Sequence, residues 1–129
     1  MNAPQKYIVF GPVDTLKRLG PALLDDVNPK YQYQFSNYEN EIDILVAVFE
    51  EYQRQLNSST ALTVIFELSG KNLKIEMLPT GGRMGFRGSS LSSDQPLPDM
   101  VTDFIMDFAK RFGLTVQELR NNKAPEKES

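Results

Sequence analysis

Between Thr60 and Met77, apolar and polar residues alternate on both sides of one short turn. Leu62, Val64, Phe66 and Leu68 fall one way, and Ala61, Thr63, Ile65 and Glu67 the other. Ser69-Gly70-Lys71-Asn72 has turn chemistry, after which Leu73, Ile75 and Met77 alternate with Lys74 and Glu76. A period of two is the period of a strand. This stretch therefore predicts a β-hairpin, and a hairpin with apolar faces must find something to cover them. Any fold for this chain has to be built around that requirement.

The same signal recurs upstream. Lys6 to Phe10 reads as a short strand stopped by Gly11-Pro12. In Lys30 to Phe35 the rings of Tyr31, Tyr33 and Phe35 share one face, and Lys30, Gln32 and Gln34 share the other. Residues 42–56 carry two patterns. Ile42, Leu45, Phe49, Tyr52 and Leu56 fit a helical stripe, with Glu50 and Arg54 four apart. Ile42, Ile44, Val46 and Val48 alternate, and their β-branched side chains favour a strand. We read the segment as strand. Thr80-Gly81-Gly82 breaks the pattern, and a short edge strand is expected near Arg83 to Arg87.

Two segments have the helical period. Val13, Leu16, Leu19, Leu23, Leu24 and Val27 form one stripe, interrupted by Gly20-Pro21, which predicts a kink or two short helices. Leu97, Met100, Val101, Phe104, Ile105, Phe108 and Phe112 form the second stripe, with Gly113 placed just past the helix end. Thr115 to Glu118 matches a capping box and predicts one further short helix. Strand, helix, a meander of strands and then helices implies an α+β fold. The expectation is a mostly antiparallel sheet of four to five strands with helices packed on one face. Residues 6–120 form one domain in this reading, with 1–5 and 121–129 as disordered ends.

Composition narrows the chemistry. The 129 residues are 40% hydrophobic and 24% charged, ordinary values for a globular domain, and the formal net charge is −3. There is no histidine and no cysteine. Ser-His-Asp and Cys-His triads are therefore excluded, as are thiolate metal sites and disulfides. We expect no catalytic residues, no metal site and no cofactor, and the enzyme reading leans to no. The longest apolar run, Ile44 to Phe49, is six residues, whereas a bilayer span needs about 20. The expected setting is cytoplasmic, with no membrane partner.

The run Glu50-Glu51-Tyr52-Gln53, the hairpin Leu62 to Leu78, the Thr80-Gly81-Gly82 break and the late helix together resemble small uncharacterised bacterial α+β proteins. The resemblance spans residues 6–112. It implies a bacterial cytoplasmic setting and a strand over 42–54, and it lends no activity.

Residues 80–90, Thr-Gly-Gly-Arg-Met-Gly-Phe-Arg-Gly-Ser-Ser, are the most unusual stretch. They hold four of the eight glycines, Gly81, Gly82, Gly85 and Gly88, together with Arg83, Phe86 and Arg87. Arginine offers a fork of donors to carboxylate or phosphate, and glycines let the backbone approach a ligand. These seven residues are the candidate ligand- or partner-binding set, with Phe86 as an apolar anchor. A partner protein or small ligand is the leading expectation, an anion-, nucleotide- or nucleic-acid-binding module using Arg83 and Arg87 is the alternative, and a carboxylate-dependent enzyme is the third reading. The bland reading is a surface loop whose arginines pair with nearby acids. No P-loop pattern is present.

Other features have simpler explanations. Asp99, Asp103 and Asp107 line one helix face over about 12 Å, too far for one ion, and read as a solvated strip. Glu50, Glu51, Glu67 and Glu76 read as strand solubility rather than a carboxylate pair. A Tyr31, Tyr33 and Phe35 stacking platform is possible in principle, but the acidic balance makes nucleic acid an unlikely partner, so core packing is expected. Phe104, Phe108 and Phe112 are expected in the core, with a homodimer seam as the alternative.

Overall fold

The computed structural model describes residues 5–37, 39, 42–53, 58–70, 72–81 and 97–119. The alternating segments all become strands, β1 (Gln5–Phe10), β2 (Tyr31–Asn37), β3 (Ile42–Gln53), β4 (Ser58–Ser69) and β5 (Asn72–Gly81), and a sixth, β6 (Thr115–Leu119), forms where a short helix was expected. Helix α1 (Val13–Asp26) follows β1, and α2 (Leu97–Phe112) precedes β6. The strands form one sheet in the order β2-β3-β4-β5-β1-β6, antiparallel throughout. The α+β class holds, with six strands among the described residues instead of four to five. Gln5 is part of β1, opposite Met77, and so does not belong to a frayed end. The other expectations for the termini, and for a strand at 83–87, lie outside the described residues.

Segment 42–53 is a strand because pairing on both sides outweighs its helical stripe. It lies between β2 and β4, where Ala47 and Phe49 are fully buried on one face. The β4–β5 hairpin turns at Gly70, whose φ of 58° is the left-handed conformation that favours glycine. β5 runs on to Gly81, two residues into the expected Thr80-Gly81-Gly82 break, and accommodates Pro79. β1 pairs with β5 only as far as Met77, so the missing N–H of Pro79 costs no bond on that side.

Both helices cover the same face of the sheet. Leu16, Leu19 and Leu23 of α1 and Leu97, Val101, Ile105 and Phe108 of α2 are buried against Val9, Leu62, Val64, Ile75 and Met77. Thr102 of α2 meets the Tyr7 hydroxyl of β1 at 3.3 Å. α1 runs as one helix through Gly20-Pro21, in place of the expected alternative of two short helices. Pro21 is exposed, so the carbonyl it leaves unpaired stands on the wet side of the helix. Gly20 is buried, and a Cβ there would come within 2.9 Å of Leu45 Cδ2. The glycine lets α1 lie close on the sheet.

The capping-box helix is replaced by β6. Gly113 ends α2 with φ 71°, and the Leu114 amide donates back to the Ala109 carbonyl at 2.8 Å, a Schellman closure. Leu114 is then buried over Gly11, where any Cβ would overlap its side chain. That anchor delivers Thr115–Leu119 to the open edge of β1, pairing Val116 with Val9 and Leu119 with Lys6. Five residues paired along an edge outweigh a single helical turn, whose nucleation is costly.

Candidate functional site

Register sets out the second face of the sheet row by row. The middle row is Tyr33, Val46, Ile65, Glu76, Lys6 and Leu119. On one side of it lie Tyr31, Val48, Thr63 and Leu78, and beyond those Glu50, Ala61 and Thr80. On the other lie Phe35, Ile44, Glu67, Lys74, Ile8 and Gln117. Among the described residues, no element covers this face. Tyr31, Tyr33 and Phe35 are 58%, 52% and 46% exposed. This corrects the expectation that these rings pack in the core. The β2–β3 register aligns them with Val48, Val46 and Ile44, opposite to the face of Ala47 that the helices bury.

The open face has two halves. Over β2, β3 and part of β4 it is apolar, with Ile44, Val46, Val48 and Ile65 half-buried by one another and the three rings standing proud at the edge. Over β4, β5 and β1 it carries alternating charge. Glu67 lies opposite Lys74, and Glu76 reaches Lys6 at 4.0 Å. Glu50 reaches Lys30 at 3.8 Å at the end of the apolar half. Both ion pairs are exposed, where such pairs contribute little stability. Each of these glutamates stands beside a lysine, and the register brings no two of the four candidate glutamates directly opposite each other. A shallow hollow of about 290 Å³ lies among Lys6, Ile65, Glu67, Lys74, Glu76 and Leu119.

Of the candidate residues in the 80–90 segment, Gly81 lies at the end of β5, opposite Thr60. Gly82, Arg83, Gly85, Phe86, Arg87 and Gly88 lie outside the described residues. Thr80, the first residue of the segment, shares its row on the open face with Ala61 and Glu50.

The remaining candidates take structural places. Asp99, Asp103 and Asp107 are exposed along α2. Phe108 is 5% exposed and belongs to the core. Its ring lies 6.2 Å from that of Phe104 and 4.6 Å from that of Phe112. Phe112 is 40% exposed and sits under the Arg18 guanidinium at 4.9 Å. A second hollow of about 190 Å³ lies between α1 and β2–β4, lined by Leu16, Gly20, Leu45, Phe66 and Leu68, with Lys17, Gln34 and Asp43 also on its wall. Among the described residues, no group of three or more carboxylates could hold a metal ion. No described helix is long and apolar enough to cross a membrane.

No family model matches the chain, and no curated protein or solved structure is significantly similar to it.

Proposed function

We propose that this chain is a non-enzymatic binding module that receives a partner protein on the open face of its sheet, in the bacterial cytoplasm. The exposure of Tyr31, Tyr33 and Phe35 beside Ile44, Val46, Val48 and Ile65 carries the reading. Large aromatic side chains that are already ordered lose little entropy on binding and bury much surface, so they anchor protein interfaces. An apolar block bordered by mixed charge has the layout of an interface core and its rim. In this reading segment 80–90, which begins at Thr80 on that face, contributes a charged arm to partner binding. Arg83 and Arg87 donate to carboxylates of the partner, Phe86 anchors, and Gly81, Gly82, Gly85 and Gly88 give the arm its reach.

The test is site-specific photocrosslinking in cells. A photoreactive phenylalanine analogue at position 33 or 86 is expected to capture the same partner protein, whereas one at the exposed Met106 of α2 captures none. Val46→Lys with Ile65→Glu, directly opposed across β3 and β4, is expected to abolish capture at 33 while the far-ultraviolet dichroism stays native. Equal capture at 33 and 106 would overturn the reading. So would chemical-shift changes confined to residues 80–90 on adding nucleotides, if salt weakens them and Arg83→Ala with Arg87→Ala removes them. That second result would make the chain an anion-binding module.

A further inference from the structure

The two edges of the sheet are built differently. β6 is five residues long and carries Glu118, and short charged strands resist pairing with another sheet. β2, Tyr-Gln-Tyr-Gln-Phe-Ser-Asn, has no charge and no proline along its seven residues. Residues Tyr31 to Phe35 are exposed on both faces. Among the described residues, no strand pairs with the outer edge of β2.

We infer that this edge binds a second copy of the chain, β2 against β2 in antiparallel pairing about a two-fold axis at Gln34. Three observations select this occupant and this register. First, period two means that only a register pairing odd positions with odd keeps the helices of both copies on one side of the joined sheet. Centring on Gln34, the midpoint of Tyr31–Asn37, pairs the whole strand. Tyr33 then lies opposite the partner's Phe35, twice by symmetry, and Gln34 lies opposite the partner's Gln34. Aromatic cross-strand pairs are among the more favourable ones.

Second, the charges are complementary. Each copy is net negative, and β2 is a stretch where two copies meet without like charges opposed. Lys30 precedes the strand and Glu39 follows it, both exposed. Antiparallel pairing brings the positive end of each copy to the negative end of the other. Third, the exposed rings continue across the seam: pairing sets the flank of Tyr33 against the partner's Phe35 and satisfies the outward backbone groups of β2, while the outer faces of the rings stay open. The product is a twelve-stranded sheet with six rings side by side on its open face. The inference stands independently of the partner reading, because Gln34 is on the helix side.

Sedimentation velocity decides it. The mass is expected to rise from 14.6 kDa toward twice that value as concentration increases. Gln34→Lys and Gln34→Glu place like charges on the axis, and each is expected to weaken dimerisation at least tenfold. An equal mixture of the two variants restores it. A monomer at all concentrations would overturn the inference, as would a dimer that Gln34→Lys leaves unchanged. Hydrogen exchange of the unaltered protein gives a reading that needs no variant: the outward amides of β2 exchange more slowly as dimer forms. Concentration-independent exchange there would also overturn it.

Discussion

Gly113 stands in the left-handed region at the end of α2, and the closure it makes directs Leu114 into the core. A side chain there adopts that conformation at a cost of roughly 1–2 kcal/mol. Gly113→Ala is therefore expected to lower stability by about 1 kcal/mol in urea titration, and Gly113→Asn by less, since asparagine tolerates the conformation better. Equal losses would mean that the helix ends differently. This position was legible in sequence, because a glycine just past the last apolar residue of a helical stripe has few other uses. The partner of Leu114 was not legible. That Gly11 must lack a side chain to admit Leu114 depends on two residues about a hundred positions apart, and no local pattern records it.

At the scale of elements, the strands from Lys6 to Met77 could be read because period two shows in each segment alone. The segment after Gly113 could not, because Thr-Val-Gln-Glu-Leu fits both a capped turn of helix and a short strand. The free edge of β1 decides between them, and that edge exists only once the sheet is assembled. Two substitutions separate the forms. In a helix, Val116→Asp would put an acid in the first turn and stabilise it. In β6, Val116 packs against the core beside Val9, so Val116→Asp is expected to cost more than about 1 kcal/mol. Thr115→Ala removes no cap from the strand and is expected to change stability by less than about 0.5 kcal/mol. Chemical denaturation of both variants checks the pair of outcomes. Alternation in Tyr31 to Phe35 likewise revealed a face with three rings but not which side the helices would choose. The register against β3 makes that choice by placing the rings behind Ala47.

At the scale of the molecule, the helices bury one sheet face, and among the described residues nothing covers the other. The folded protein is therefore expected to bind a hydrophobic fluorescent dye without unfolding. Val46→Lys with Ile65→Glu, an opposite-charge pair across the β3–β4 register, is expected to cut the dye signal severalfold while the thermal midpoint moves little. A dye signal that persists in the double variant would place the apolar surface elsewhere, with the hollow between α1 and β2–β4 the next place to look. The 80–90 segment was conspicuous in sequence through its glycines and arginines, whereas the apolar half of the open face was not, since β2, β3 and β4 make it jointly. The strand order has a further consequence. β2 to β5 are sequence neighbours that pair in succession, but β1 lies between β5 and β6. During synthesis on a ribosome, β1 emerges before the meander yet finds its first strand partner about 65 residues later and its second about 110 residues later. Contacts so distant in sequence slow folding. The nascent chain therefore waits with Tyr7 and Val9 uncovered until the meander is out, which is when a chaperone would find it.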